Sequence, residues 1–406
     1  MSLVCHEVLS PPVRTIGHGE EILRFHGREP AWQVAFSRDG RYLAVCYGAI
    51  EPCVRIWKQQ SPFHEDSGWI LDATLTGIQT RTIRSIAFAP IRTPLILASA
   101  SFDGTVAVWE HYPATNGALV TASAKSPSGV DEWECTAQLE GHESEVKCVQ
   151  WNATGSLLAS CGRDKTVWIW ECFLPGAIGG PSAAHPSPSG HNSGGGDFEC
   201  IAVLHGHEGD VKCVQFTSSH DEWGDGDEIL LSSSYDNTIK CWAEDAGDWY
   251  CAASIEDVHS STIWSLAMSP SGLRMISGSD DQSLGIYKCY TASEKKRHFP
   301  DEGKNRNGLW KCVGHLPDAH LASIFSVAYA PSRAGHGRIA TAGADNRIQI
   351  FREVSGSVSD QPLFTVETSA TNELGDVNCV SWHPSDGSIL ATAGDDGSVC
   401  IWKFNL

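Results

Sequence analysis

The sequence has few basic residues for its length. Lys and Arg number 29 against 49 Asp and Glu, which gives a formal net charge of −20 at pH 7. Nucleic-acid binding requires a basic surface, so this balance argues against DNA or RNA as a partner. No stretch approaches the roughly 18 apolar residues of a membrane-spanning helix, and the first residues do not resemble a secretory signal. We therefore expect a soluble, intracellular protein that contacts neither nucleic acid nor membrane.

Recognised catalytic motifs are also missing. The chain has no Gly-x-Ser-x-Gly, no phosphate-binding P-loop, no His-Glu-x-x-His and no dinucleotide fingerprint after a strand. Ser, His and Asp do recur together, but as part of a structural repeat described below. The sequence thus predicts a protein that is not an enzyme, with no catalytic residue and no cofactor.

Cysteine is abundant, with 15 residues, but no Cys-x-x-Cys occurs and the number is odd. Two sets recur at equivalent repeat positions: Cys135, Cys200, Cys251 and Cys312, and Cys148, Cys213 and Cys379. Such recurrence predicts one packing role, with cysteine as a small buried hydrophobe, and no metal or iron–sulfur ligation. Free thiols in this number are typical of a reducing compartment.

What the chain does have is an internal repeat. A Ser or Thr is followed four residues later by Asp and six residues after that by an aromatic residue. The six copies are Ser99-Asp103-Trp109, Ser160-Asp164-Trp170, Ser232-Asp236-Trp242, Ser277-Asp281-Tyr287, Thr341-Asp345-Phe351 and Thr392-Asp396-Trp402. A seventh, degraded copy ends at Trp57, with Tyr47 and Glu51 at the hydroxyl and Asp positions. Self-similarity of this kind predicts a repeat architecture.

Each repeat contains four short segments of β-branched and aromatic residues separated by Gly, Asn and Asp. In one unit they are 133–139, 146–151, 157–161 and 167–170. This pattern predicts four strands joined by hairpins. The unit length is close to the roughly 40–45 residues of a propeller blade once the long loops are set aside.

The recurring polar residues predict a buried hydrogen-bond network. An Asp in the last turn can bind backbone amides and a His ring, and the His can reach the hydroxyl and the indole. We assign this structural role to His142, Ser160, Asp164 and Trp170, and to His207, Ser232, Asp236 and Trp242; His259 and His320 occupy the same slot. The alternative is metal binding, but these histidines occur once per unit and would be spread around a ring.

At this point the chain resembles WD40 β-propellers over nearly all of residues 20–406. The resemblance implies an all-β, seven-bladed propeller, with residues 1–19 as an N-terminal extension. It also implies that Glu20–Phe25 supply the missing outer strand of the last blade and so close the ring. Flexible insertions are expected at about 111–130, 173–197, 218–228 and 291–308, from their Gly, Ser, Pro or charge content.

In WD40 propellers, two positions per blade face the upper surface near the central channel. The first set here is Trp32, Arg84, Lys147, Lys212, Trp264, Phe325 and Asn378; the second is Phe102, Arg163, Tyr235, Asp280, Ala344 and Asp395. Aromatic residues and Arg dominate interaction hot spots, so we interpret these positions as a partner-binding surface. The basic residues Arg84, Lys147, Arg163 and Lys212 indicate an anionic ligand group such as a carboxylate. The alternative is that these are scattered, partly buried core residues.

Four stretches, 131–135, 139–147, 161–170 and 234–240, extend the resemblance to the WD40 subunits of cytosolic iron–sulfur assembly targeting complexes. This implies a non-catalytic adaptor that acts with other subunits of that complex and with iron–sulfur apoproteins, as a monomeric propeller within a hetero-complex. It implies a cytoplasmic location, with the nucleus as an additional one. An Arg before the turn Asp of the third blade is important in that family, and Arg163 stands there. The alternative is a substrate-recognition propeller of a ubiquitin ligase or chromatin complex.

Overall fold

The computed structural model describes residues 15–16, 19–48, 50–60, 68–113, 131–174, 196–218, 228–299, 309–331, 337–372 and 375–404. The N-terminal extension and the expected insertions therefore lie largely outside the described residues. Within the described ranges, no helix is both long and apolar enough to cross a membrane.

The described chain forms seven antiparallel sheets. Blade 1 consists of β3 (Ala31–Phe36), β4 (Tyr42–Tyr47), β5 (Cys53–Gln59) and β6 (Trp69–Leu75). Blade 2 consists of β7 (Ile83–Phe88), β8 (Ile96–Ser101), β9 (Val106–Tyr112) and β10 (Glu132–Leu139). Blade 3 consists of β11 (Val146–Trp151), β12 (Leu157–Gly162), β13 (Val167–Phe173) and β14 (Asp197–Leu204). Blade 4 consists of β15 (Val211–Ser218), β16 (Glu228–Ser234), β17 (Ile239–Asp245) and β18 (Asp248–Ile255). Blade 5 consists of β19 (Ile263–Met268), β20 (Arg274–Ser279), β21 (Leu284–Tyr290) and β22 (Leu309–Leu316). Blade 6 consists of β23 (Ile324–Tyr329), β24 (Ile339–Gly343), β25 (Arg347–Glu353) and β26 (Phe364–Thr371).

Blade 7 combines the two ends of the chain. Its strands β27 (Val377–Trp382), β28 (Ile389–Gly394) and β29 (Ser398–Phe404) are completed by β2 (Gly19–His26) and the two-residue β1 (Thr15–Ile16). Strand β2 pairs with β29 from Gly19 opposite Phe404 to His26 opposite Ser398. The seven-bladed, all-β fold and its closure by the N-terminal strand are thus confirmed.

The sequence repeat and the structural blade are offset by one strand. The unit read from residues 133–170 begins with β10, which pairs with β9 of the preceding blade. Residues 146–170 then form the first three strands of blade 3, and the fourth is β14. Each repeat therefore ties two neighbouring blades together through continuous chain.

The hydrophobic core lies between the blades. The buried residues form seven clusters, and each combines the facing sides of two adjacent blades. One cluster joins blade 7 to blade 1, with Ala393 and Val399 packed in the same group as Val34 and Trp57. The first strands also contact one another in a closed cycle, β27 next to β3 included. A radial repeat of this kind grows by adding interfaces rather than by enlarging a single core.

Polar side chains of the first strands link neighbouring blades near the channel. The backbone amide of Val149 donates to the Ser85 hydroxyl at 3.2 Å, and that of Ile86 donates to the Gln33 side-chain oxygen at 2.6 Å. Equivalent bonds run from Val327 to Ser265 and from Val380 to Ser326, each 3.2 Å long. Because buried backbone amides need partners, these bonds fix the register between blades.

The recurring His, Ser or Thr, Asp and aromatic residues meet inside the blades. In blade 3, His142 Nδ1 lies 2.7 Å from Asp164 Oδ2, and its Nε2 lies 2.8 Å from Ser160 Oγ. The Trp170 indole donates to the same hydroxyl at 3.1 Å. Blade 4 repeats the arrangement, with His207 2.8 Å from both Asp236 and Ser232, and Trp242 donating to Ser232 at 2.8 Å. Each Asp also accepts backbone amides, so every buried group of the network is paired.

Two blades build the network with other residues. In blade 2 the histidine slot holds Gln79, whose Oε1 accepts from Ser99 Oγ at 2.7 Å, while Trp109 donates to Ser99 at 3.0 Å. In blade 7, Trp402 donates to Thr392 at 3.0 Å, but the described residues leave Asp396 Oδ2 and Asn372 Oδ1 without a hydrogen bond.

Blade 1 departs from the sequence interpretation. Val45 pairs with Val34 and Arg55, as Ser99 pairs with Ile86 and Ala107 in blade 2. The hydroxyl position is therefore occupied by Val45, and Tyr47 lies two residues beyond it. Counting back from Trp57 fails because the paired residues Val45 and Arg55 are two residues further apart in the sequence than Ser99 and Ala107 in blade 2.

Two further expectations are corrected. Cys200, Cys251 and Cys312 are exposed and Cys135 is half-buried, because their outer strands have no neighbour beyond them. Cys379 is buried, in line with the packing role assigned to it, whereas Cys148 and Cys213 are half-buried. Part of the 291–308 stretch is not a loop: Ala292–His298 form helix α1, whose N-terminus is capped reciprocally by Thr291 and Glu294. The Thr-x-x-Glu spacing is a capping signal that the sequence interpretation missed.

Removal of the network carboxylate should destabilise the blade. Burial alone would raise the pKa of Asp164, but hydrogen bonds from His142 and Thr166 outweigh it and lower that pKa. We expect Asp164→Ala to reduce the free energy of unfolding by about 1–3 kcal/mol at pH 7 in urea denaturation, since it leaves buried donors unpaired. Because the carboxylate pKa is lower in the folded state, the stabilisation exists above the usual Asp value and is lost as the pH falls through the folded value.

The matched control is Glu143→Gln, which changes an exposed carboxylate next to the same histidine. It should alter stability by no more than about 0.5 kcal/mol. The loss of unfolding free energy caused by Asp164→Ala should be smaller in acid. A loss of equal size at pH 3 and pH 7 would contradict the role of the ionised carboxylate.

A buried carboxyl in blade 2 should make stability fall with rising pH. Glu110 is 3% exposed, and Oε2 has no partner among the described residues. Burial raises its pKa from 4.5 to about 7. The contribution of the protonated Glu110 carboxyl to the free energy of unfolding is complete below pH 4.5 and is lost as the pH rises through 7. We expect Glu110→Gln to raise the melting temperature at pH 8 by about 2 °C or more and to leave it unchanged at pH 4.5. An equal increase at both pH values would exclude ionisation as the cause.

Candidate protein-interaction surface

The candidate site is the upper face of the ring, where the first strand of each blade begins and the second strand ends. We call the following nine residues the crown: Trp32, Arg84, Phe102, Lys147, Arg163, Lys212, Tyr235, Trp264 and Phe325. Trp32, Lys147 and their counterparts are the second residues of first strands, and Phe102, Arg163 and Tyr235 directly follow second strands. The hairpin geometry of each blade therefore brings both sets to one face.

Crown residues contact each other, in most cases across blade boundaries. The Arg84 guanidinium carbon lies 5.3 Å from the Trp32 ring centroid, and Lys147 Nζ lies 4.0 Å from that of Phe102. Lys212 Nζ is 5.6 Å from the Tyr235 centroid and 4.9 Å from that of Trp264. The Trp264 and Phe325 rings meet edge to face at 5.5 Å. Cations over aromatic faces and edge-to-face rings are favourable, so these side chains are ordered before any partner binds.

One carboxylate organises the basic side of the crown. Glu145 Oε2 lies 2.6 Å from Lys147 Nζ, and Oε1 lies 3.1 Å from Arg81 and 3.6 Å from Arg163. Arg81 also donates to the Phe102 carbonyl at 2.7 Å. The side chains of Arg81 and Arg163 are 57% and 60% exposed, whereas that of Lys147 is 15% exposed. Two guanidinium groups from blades 2 and 3 thus reach solvent side by side, held by the same carboxylate.

The next blade repeats part of this arrangement. Asp210 Oδ2 lies 3.2 Å from Lys212 Nζ, whose side chain is 11% exposed. Tyr235 is 63% exposed and stands outside this pair.

Burial lowers the pKa of Lys147, an effect that its hydrogen bond to Glu145 only partly offsets. Burial would raise the pKa of Glu145, but Lys147 and Arg81 hold it below its usual range. The two lysines therefore serve mainly to order the surface, and the arginines and Tyr235 are left accessible.

The sequence interpretation missed Glu145, Asp210 and Arg81. Glu145 and Asp210 each precede a first-strand lysine by two residues, which places acid and lysine on the same side of the chain. That spacing was the available signal. Asn378 was expected on the surface, but it is buried and donates to Ala31 O and to Asp395, at 3.0 and 2.7 Å. It links blade 7 to blade 1 instead of presenting an amide to a partner.

The upper face also carries an acidic segment on blades 5 to 7. Asp280 lies 3.5 Å from the Trp264 indole nitrogen and accepts from the Ser261 and Ser323 hydroxyls. Asp395 is likewise exposed. In the part of the chain that the structure describes, no group of three His, Cys, Asp or Glu side chains is placed to hold a metal ion. The upper face therefore carries exposed carboxylates on blades 5 and 7, apart from the exposed guanidinium groups on blades 2 and 3.

Comparison with known proteins first identifies the repeat. The family model for the WD domain, G-beta repeat, matches residues 69–110, 133–171, 198–243, 249–288 and 362–403, which together make up just over half of the chain. All five segments begin within two residues of the first residue of the preceding blade's outer strand, so they follow the offset seen in the structure.

Several relatives are similar over most of the chain. A protein of Scheffersomyces stipitis is 33% identical over 82% of this chain and 86% of its own length. One of Candida albicans is 34% identical, covering 82% and 88%, and one of Neurospora crassa is 27% identical, covering 82% and 86%. All three are named "Probable cytosolic iron-sulfur protein assembly protein 1".

Proposed function

Because the chain belongs to the WD40-repeat family and to that of cytosolic iron–sulfur protein assembly protein 1, we propose that it is a non-catalytic adaptor of this assembly machinery. In this role it helps to deliver iron–sulfur clusters to cytosolic and nuclear apoproteins through protein–protein contacts. We place it in the cytoplasm and, where its client proteins are nuclear, in the nucleus.

The observation that carries the proposal is the similarity to relatives with this name over 82% of the chain, at 33% and 34% identity. The geometry supports a binding role. A rigid ring presents two exposed guanidinium groups, an exposed tyrosine and two packed aromatic rings on one face. Arg and aromatic side chains of this kind contribute most of the free energy in many protein interfaces.

The internal Ser, His and Asp residues do not support catalysis. The Ser160 and Ser232 hydroxyls are fully buried and accept a hydrogen bond from an indole. A nucleophile must reach its substrate, and these oxygens cannot. We therefore assign His142, His207 and their partners to stability and the crown to recognition.

In the proposed mechanism, Arg163 and Arg81 bind an anionic group of a partner, and Trp32, Phe102, Tyr235, Trp264 and Phe325 supply apolar contacts. Guanidinium groups pair with carboxylates through two parallel hydrogen bonds. Glu145 positions both arginines, so that less side-chain freedom is lost on binding.

Affinity purification of the full chain from its source cells tests this function. We expect mass spectrometry to recover other subunits of the iron–sulfur targeting complex and iron–sulfur apoproteins. Recovery of a ubiquitin ligase or a histone-binding complex in their place would overturn the proposal. Iron bound in stoichiometric amounts by the purified chain would contradict the adaptor role.

Arg163→Glu tests the crown. The variant reverses a charge that is 60% exposed, so we expect partner affinity to fall about tenfold or more. Stability should change by about 0.5 kcal/mol at most, since the residue is on the surface. Surface plasmon resonance with a purified partner subunit and thermal unfolding measure the two effects.

The matched control is Arg92→Glu, the same change in an exposed connection between β7 and β8, at the opposite end of the strands. It should leave binding unchanged. Equal loss of binding in both variants would show that net charge, rather than the crown, determines affinity.

A further inference from the structure

Blade 1 contains a pocket that the crown does not include. It has a volume of about 210 Å³ and lies between the loop that follows β2 and the connection between β4 and β5. Its walls include Arg28, Glu29, Tyr47, Ile50, Glu51 and Arg55. It lies at the end of the blade where the other blades bind the turn Asp to the preceding loop.

The pocket exists because blade 1 replaces the usual network. Residue 27, in the histidine slot, is glycine, and a Cβ there would lie only 2.8 Å from Cε1 of Tyr47. The tyrosine ring thus requires the absence of a side chain at this position. The capping carboxylate also comes from the loop instead of the turn. Glu29, in the loop after β2, accepts hydrogen bonds from the backbone amides of Ile50 and Glu51 in the turn, at 3.0 and 2.9 Å. In blade 3 the turn residue Asp164 instead accepts the amide of Glu143 in the loop.

This exchange leaves a hydroxyl unpaired. Tyr47 is 2% exposed, and its hydroxyl has no hydrogen-bond partner among the described residues. A buried polar group without a partner destabilises the folded state, because its hydrogen bond to water is lost and not replaced. Such a group calls for an explanation, and a ligand oxygen that enters the pocket would supply the missing partner.

The charges around the pocket indicate what that ligand is. The Arg55 guanidinium carbon lies 4.9 Å from the Tyr47 ring centroid. Neither Arg55 nor Arg28 forms an ion pair with a described residue, while Glu29 is occupied by the two amides. Two guanidinium groups and a hydroxyl donor therefore line one space in a chain with net charge −20. Glu29 and Glu51 balance the two arginines, which disfavours a dianion such as phosphate and favours a single negative charge.

We propose that this pocket binds the carboxylate of an Asp or Glu side chain of a partner protein. The inference rests on the proposed adaptor function, to which it adds a second recognition point on blade 1. The volume suits one side chain, since pockets for cofactors and drug-sized ligands are about 300–1,000 Å³. Ile50, which is 82% exposed, stands beside the pocket and would contact an apolar neighbour of the acidic residue.

Fluorine NMR of the full chain labelled with 3-fluorotyrosine tests the assignment. The chain has eight tyrosines, and Tyr47→Phe identifies the resonance of Tyr47. The probe is N-acetyl-glutamate N-methylamide, the matched control is N-acetyl-glutamine N-methylamide, and inorganic phosphate is the third ligand. We expect a saturable shift of the Tyr47 resonance with the glutamate probe alone. Arg28→Gln and Arg55→Gln should each weaken that binding about tenfold, since each removes a charged hydrogen-bond donor.

A second measurement tests the unpaired hydroxyl directly. Tyr47→Phe should not lower the melting temperature of the free protein, because the hydroxyl has no partner to lose. A loss of stability would show that the hydroxyl is already satisfied in the free chain, for example by water, and would overturn the proposal.

Other outcomes of the titration also decide against the pocket. Equal shifts with the glutamate and glutamine probes, stronger binding of phosphate, or an unchanged Tyr47 resonance would each overturn a carboxylate site. The probe is a free amino-acid derivative, so a negative result would leave the adaptor function standing. Conversely, failure to recover iron–sulfur proteins from cells would overturn the adaptor function and leave the binding of the probe unaffected.

Discussion

The pairing of the N-terminal strand β2 with the last strand, β29, is the interaction on which the ring depends. Seven sheets pack side by side, and each buries its faces against two neighbours. Without β2 beside β29, blade 7 would have an unpaired strand edge and the cluster shared with blade 1 would lose Leu23 and Phe25. Closure thus couples the two ends of the sequence, and it gives the upper face a fixed circular geometry.

The hydrogen-bond networks hold each blade to the loop that precedes it, and the chain satisfies the same need in several ways. His, Ser, Asp and Trp are used in blades 3 and 4, and Gln79 replaces the histidine in blade 2. Blade 1 reverses the direction of the cap, because Glu29 in the loop binds the amides of the turn. What is retained is the pairing of buried donors with acceptors, and the residues that achieve it vary. Where the replacement residues do not supply every hydrogen bond, as in blade 1, a polar group such as the Tyr47 hydroxyl remains unpaired among the described residues.

The upper face shows how an acidic protein can present a basic site. Acidic side chains in the connecting loops bind the crown lysines and hold them against aromatic rings. Glu145 leaves the guanidinium groups of Arg81 and Arg163 more than half exposed. The surface is thereby ordered in advance, which lowers the entropy lost on binding a partner. Similarity to proteins named for cytosolic iron–sulfur protein assembly gives this surface its proposed context.

The sequence by itself determined the number of repeats, their strand pattern and most of the residues that meet in the networks. These follow from local spacing, because each repeat places the same residue types at the same hairpin positions. The ring closure was implied by the resemblance to WD40 propellers. Tertiary structure alone decided which blade each outer strand joins, and that Asn378 is buried while Cys200 is exposed. It alone decided that Glu145 forms ion pairs with arginines from two blades. It also placed Val45 at the position expected for Tyr47, since two extra residues between the paired positions of β4 and β5 shift the register in a way that only strand pairing reveals. Contacts within a hairpin depend on neighbours in the sequence, whereas contacts between blades depend on how distant segments pack.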